Sequence, residues 1–114
     1  KDGAIYGLPN YAHSVLRIDL STNAISEVEI RGGVRGDPWM PWWGFVAASD
    51  GLMVGIPHNY GQALSVDLVT GYVTTFGDSG GHSESYLWQE GLIAGNGAIY
   101  AIPAYANKVL KIDP

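Results

Sequence analysis

The sequence predicts an all-β protein assembled from repeated units of four short antiparallel strands, and three observations carry that prediction. One motif occurs three times, as Asp2-Gly3-Ala4-Ile5-Tyr6-Gly7-Leu8-Pro9, Asp50-Gly51-Leu52-Met53-Val54-Gly55-Ile56-Pro57 and Asn96-Gly97-Ala98-Ile99-Tyr100-Ala101-Ile102-Pro103, at spacings of 48 and 46 residues. Within each copy apolar and polar residues alternate with the two-residue period of a half-buried strand, between segments rich in turn-forming residues. No window shows apolar residues at helical spacing bounded by helix caps.

The middle copy shows the unit in full. Phe45–Ala48 forms strand A and leads through Ser49-Asp50-Gly51, a tight-turn signal, into strand B at Leu52–Ile56. Ala63–Leu68 alternates apolar and polar residues and forms strand C. Val69-Thr70-Gly71, which matches Ser21-Thr22-Asn23, places a residue tolerant of left-handed backbone before strand D at Tyr72–Phe76. The match extends through Val15-Leu16-Arg17-Ile18-Asp19, Ala63-Leu64-Ser65-Val66-Asp67 and Val109-Leu110-Lys111-Ile112-Asp113, and Trp42 aligns with Trp88. Between residues 2–20 and 96–114, eleven of nineteen positions are identical.

Four antiparallel strands in a unit of about 40 to 50 residues is the arithmetic of a β-propeller blade. The motif Asp/Asn-Gly-x-Ile-Tyr-Gly-Ile-Pro, followed by Val-Leu-x-Ile-Asp, Thr-Gly and a Thr-rich strand, resembles blades of the kelch-like and streptogramin-lyase-like (NHL/YVTN-type) propellers over nearly the whole chain. The paired glycines of a standard kelch repeat and the Gly-His and Trp-Asp marks of WD40 repeats are missing. Counted this way, residues 1–37 are a partial blade with strands B, C and D, residues 38–78 a complete blade, and residues 79–114 a partial blade with strands A, B and C. About two and a half blades cannot close a ring of roughly four to eight. The expectation is therefore a segment of a larger propeller, with further blades or a partner protein chain packed on its open flanks.

Composition narrows the partners. The 114 residues are 46% hydrophobic and 15% charged, with 13 aromatics, which opposes a disordered segment. Six Lys and Arg against eleven Asp and Glu leave a net charge of −5, and the basic residues are scattered. Nucleic acid and anionic membranes both need a concentrated basic surface. No apolar run reaches the roughly 18 to 20 residues that span a bilayer. Without cysteine there is no disulfide, thiol nucleophile or thiolate metal site, and the compartment is not readable from redox usage.

In a blade running A to D from centre to rim, the B–C and D–A connections emerge on one face. That face collects the variable segments around Asn10–His13, His58–Gly61 and Ala104–Asn107 and the long stretches 31–41 and 78–86, so binding is expected there. Trp42 and Trp88 share a repeat position and read as packing residues. Trp39 and Trp43 are open to both readings, as packing residues or as anchors for a protein or a sugar. Tyr11, Trp39, Trp43, His58, Tyr60, Tyr86 and Tyr105 are the candidate contacts.

The three histidines, His13, His58 and His82, occupy no repeated position and show no metal-ligand spacing, so they read as solvated loop residues. Asp78-Ser79-Gly80-Gly81-His82-Ser83 contains Ser, His and Asp, but its composition is that of a surface loop. Asp19, Asp67 and Asp113 recur at the end of strand C and are expected to accept turn N–H groups rather than hold calcium. The recurrent Gly3, Gly51 and Gly97 and Pro9, Pro57 and Pro103 are likewise structural. No catalytic residue, metal or cofactor is assigned. The leading functional expectation is a non-enzymatic interaction scaffold. The alternatives are a lectin-like propeller using these aromatics with Asn10, Asn59 and Asn107, and a segment of a lyase or hydrolase with catalytic groups partly in other blades.

Overall fold

A computed structural model describes residues 3–7, 14–29, 31, 42–49, 51–59, 61–78 and 86–114. All ten elements in them are strands, arranged as three antiparallel sheets. The first sheet holds β1 (Ala4–Gly7), β2 (Ser14–Asp19) and β3 (Ile25–Glu29) in that order. The second holds β4 (Trp42–Ser49), β5 (Leu52–Pro57), β6 (Ala63–Asp67) and β7 (Val73–Phe76). The third holds β8 (Trp88–Ile93), β9 (Ile99–Pro103) and β10 (Leu110–Ile112). Within each sheet the strands pair in sequence order, as antiparallel neighbours. Among the described residues no helix is long and apolar enough to cross a membrane. The expected unit boundaries after residues 37 and 78 fall at or against residues outside the described set, as does Pro9.

Strand β4 begins earlier than the expected start at Phe45. Gly44 has φ +76° and sits where the β4–β5 register shifts between Trp42 and Phe45. Left-handed backbone there absorbs one extra residue as a bulge, so pairing resumes at Trp42↔Pro57. Absence of a side chain also matters: a Cβ on Gly44 would stand 2.7 Å from the Gln89 carbonyl oxygen, so the glycine lets β4 lie close against β8. The same shift recurs 46 residues on, between Trp88 and Gly91.

The repeat in sequence is a repeat in hydrogen bonds. Asp19 Oδ1 accepts the Ser21 and Thr22 N–H groups at 2.8 and 3.2 Å, and Asp67 Oδ1 accepts those of Val69 and Thr70 at 2.8 and 2.9 Å. Asp113 instead pairs with Lys111 at 2.9 Å. Gly3, Gly51 and Gly97 all have positive φ. Trp42 Nε1 donates to the Gln62 carbonyl at 2.9 Å and Trp88 Nε1 to the Lys108 carbonyl at 2.8 Å, so each indole ties the first strand of its sheet to the approach to the third.

These turns make the fold acid-sensitive. The Ser21 hydroxyl and then the Ser21 and Thr22 N–H groups pull the Asp19 carboxyl from 3.8 to about 2, and the Thr70 and Val69 N–H groups lower Asp67. A carboxyl held below its unfolded value stabilises the fold above that value and loses the contribution as pH falls through the folded one. For Asp19 the window runs from 3.8 down to about 2. Thermal melts are expected to show a smaller loss of Tm across that window in an Asp19→Asn, Asp67→Asn double variant than in the parent chain. Equal losses would assign the acid sensitivity to other groups.

The sheets stack face to face around two apolar clusters. Between the first and second sheets lie Val15, Leu64, Val66, Leu68 and Val73, flanked by Tyr6, Val28 and Met53. Between the second and third lie Val46, Val54, Ile56, Trp88, Ile99, Ala101 and Ile112. Each fully buried aliphatic side chain contributes about 1.5–3 kcal/mol. Backbone also links the first two sheets: Arg31 N donates to the Gly71 carbonyl at 2.7 Å and Val73 N donates to the Arg31 carbonyl at 2.8 Å.

Candidate functional site

Four of the seven candidate contact residues come together at one end of the second and third sheets. Trp43 lies at the start of β4, His58 directly after β5, Tyr86 just before β8 and Tyr105 just after β9. Tyr11, Trp39 and Tyr60 lie outside the described residues, as do His13 and His82.

His58 is the centre of the group. It was expected as a solvated loop residue, and this is corrected: only 3% of it is exposed. Its Nδ1 lies 2.8 Å from the Trp88 carbonyl oxygen, and since a carbonyl only accepts, Nδ1 carries the proton. A buried imidazole satisfied by main chain is stable there, and its ring becomes a packing surface. Trp43 lies against it with ring centroids 5.5 Å apart, and Tyr86 meets it edge-on at 4.9 Å and 85°. Tyr105 continues the row, 6.0 Å from Tyr86.

Tyr86 is placed by its backbone. Its φ of +64° is a conformation that a bulky residue rarely adopts and that costs about 1–3 kcal/mol unless the surroundings impose it. They do so here through four main-chain groups. Tyr86 N donates to Asn59 Oδ1 at 2.8 Å, Leu87 N to the His58 carbonyl at 2.9 Å, Tyr105 N to the Tyr86 carbonyl at 3.0 Å, and Ala104 N to the Leu87 carbonyl at 2.9 Å. Leu87 is buried beneath. The dipeptide 86–87 thus clasps the connection after β5 to the connection after β9.

The result is a ridge of three outward-facing aromatics around a buried histidine. Trp43, Tyr86 and Tyr105 are 45%, 54% and 74% exposed. Sequence reasoning picked these aromatics but missed Asn59 as the residue that fixes Tyr86, and Gly44, whose bulge lies beside Trp43. A glycine following two tryptophans inside a strand was the available signal for the latter.

Trp42 and Trp88 lie apart from this ridge in role, in the cores with their N–H groups satisfied. Asp78 is exposed, and the Ser and His of its segment lie outside the described residues. Among the described residues no three His, Cys, Asp or Glu side chains converge as a metal site. No family model matches the chain, and comparison with curated proteins finds no matching sequence.

Proposed function

We propose that the chain is a run of β-propeller blades that acts as a non-enzymatic protein-interaction scaffold, with the Trp43–Tyr86–Tyr105 ridge as its binding surface. The propeller reading is supported by the conserved register from sheet to sheet, the recurrent bulge, and the close approach of the first strands β4 and β8.

One observation carries the binding assignment: the ridge is built from positions that the repeat does not need to be aromatic. At the 46-residue offset, Trp43 corresponds to Gln89, His58 to Ala104 and Tyr105 to Asn59, while the first copy carries Tyr11 at the Tyr105 position. The same scaffold therefore folds with polar or small residues at these places, and the aromatics answer to something other than the sheet. Tyrosine and tryptophan give large contact area at low conformational cost and dominate interface energetics. Holding them by main-chain bonds before the partner arrives removes much of the ordering cost of association.

Site-specific photocrosslinking tests this reading. With a photoreactive residue at position 105, a discrete protein adduct is expected, identified by mass spectrometry and lost in Trp43→Ala and Tyr86→Ala variants. Truncating a central aromatic is expected to weaken binding of that protein about tenfold or more. Binding on a glycan array that Trp43→Ala abolishes, without a protein adduct, replaces this reading with a carbohydrate-binding one. Metal-dependent turnover lost in His58→Ala replaces it with an enzymatic one.

A further inference from the structure

The aromatic ridge carries a chemical bias that narrows its partner. Among the described residues the Trp43 indole N–H and the Tyr86 and Tyr105 hydroxyls meet no acceptor, and all three residues are exposed. An indole nitrogen only donates, and a phenol donates readily. The acceptors beneath the rings are already taken: Asn59 Oδ1 by Tyr86 N, the His58 carbonyl by Leu87 N and the Tyr86 carbonyl by Tyr105 N. The ridge therefore offers ring faces and donors. A partner suited to it presents bare carbonyl oxygens and apolar rings, with few N–H groups of its own to satisfy.

A proline-rich segment in the polyproline II conformation has that make-up. No internal hydrogen bonds occupy its carbonyls, and its ring nitrogens carry no hydrogen. The spacing agrees as well. Polyproline II advances about 3.1 Å per residue with three residues per turn, so residues i and i+2 rest on one surface about 6 Å apart along the axis. Steps along the row from Trp43 through His58 and Tyr86 to Tyr105 are 5.5, 4.9 and 6.0 Å. Other modes of peptide recognition fit less well. Strand addition needs a free ladder edge, whereas Tyr86 and Tyr105 lie in connections, and an amphipathic helix needs an apolar groove, whereas each ring here ends in a donor.

We infer, resting on the assignment of the ridge as a protein-binding surface, that it receives a proline-rich segment in the polyproline II conformation with a basic residue beside the prolines. Pyrrolidine rings pack on Trp43, Tyr86 and Tyr105, while the indole N–H and the two hydroxyls donate to the carbonyls of the segment. Both sides are ordered before they meet, one by its fixed φ angles and the other by the clasp at residues 86–87, so little conformational freedom is lost. The basic residue answers to Glu90, which is exposed and makes no ion pair among the described residues. Its Cγ lies 3.5 Å from where a Cβ on Gly44 would stand, beside Trp43. The net charge of −5 acts in the same direction at longer range.

Anisotropy titrations with a labelled oligoproline peptide bearing an arginine at each end test it. Saturable binding by the parent chain is expected, weakened about tenfold in Trp43→Ala and Tyr105→Ala and about threefold in Tyr105→Phe, which keeps the ring and removes the hydroxyl. Tyr105 is 74% exposed and its bond to Tyr86 is made by main chain, so Tyr105→Ala keeps the fold. Far-ultraviolet circular dichroism with matched thermal melts verifies each variant. Glu90→Gln is expected to weaken the arginine-bearing peptide and leave plain oligoproline unchanged. A peptide of the same length and charge with glycine for every proline is expected to bind about tenfold more weakly, because its backbone is free to leave polyproline II. Absence of saturable oligoproline binding, equal binding of the glycine peptide, or equal binding by Tyr105→Ala overturns the inference. The protein captured by the photocrosslink at position 105 separates this from the ridge assignment. Excess oligoproline peptide is expected to displace that protein from the parent chain. A captured protein that the peptide does not displace overturns the proline-rich partner and leaves the ridge a protein-binding surface, whereas glycan binding without a protein adduct overturns both.

Discussion

Gly71→Ala is expected to cost about 3 kcal/mol or more of folding stability, a large share of the roughly 5–15 kcal/mol that holds a domain together. Two effects combine. The residue has φ +72°, where a side chain costs about 1–2 kcal/mol. An added Cβ would also collide with the Glu29 carbonyl oxygen and stand 3.0 Å from Val28 Cγ1, both on the neighbouring sheet. Backbone cannot yield there without breaking the bonds that Arg31 makes to Gly71 and Val73. Gly77→Ala separates the two effects, because Gly77 shares the conformation at φ +71° with nothing within 4 Å of the added carbon. Urea denaturation is expected to show the Gly71 variant losing clearly more than the Gly77 variant. Equal losses would mean that the first sheet does not approach Gly71 this closely.

Ile56→Ala is expected to cost about 2–5 kcal/mol, the range for removing a fully enclosed aliphatic side chain and leaving its cavity. Its repeat counterpart offers an internal comparison. Ile102→Ala changes the same residue in the same strand position, but on the uncovered face, and is expected to cost about 0.5 kcal/mol or less. Similar costs in urea denaturation would show that Ile102 is enclosed as fully as Ile56.

The strands were legible because their determinants are local. The alternation of Ala63-Leu64-Ser65-Val66-Asp67, the glycine of each tight turn and the Asp that gathers turn N–H groups all act within a few residues, and the threefold motif repeats the message. The candidate site was half legible. Its aromatics stood out in variable segments, Trp43 without a repeat counterpart and Tyr105 matched by Tyr11, but nothing near His58 in sequence announces its burial. That depends on a carbonyl thirty residues away and on rings from two other segments. The left-handed turn at Tyr86 was equally hidden, since the groups that hold it, the Asn59 side chain among them, come from segments far away in sequence. The pairing of Arg31 with Gly71 joins two sheets that the repeat alone treats as separate.

That pairing has a counterpart in the His58 bond to the Trp88 carbonyl, and inherited variation reaches the two unequally. At position 31 the bonds are made by N–H and C=O groups that every residue except proline supplies, so the side chain can drift without loosening the link between the first and second sheets. At position 58 the main-chain bond from Leu87 N to the His58 carbonyl is joined by a second tie through a ring nitrogen, and only a side chain that donates across the same distance replaces that second one. Related sequences that differ at both places would keep the first pair of sheets as a fixed block and vary in how firmly the third is held. The aromatic ridge spans that more mutable boundary, so substitutions at position 58 would change the spacing of its three rings while leaving each of them in place.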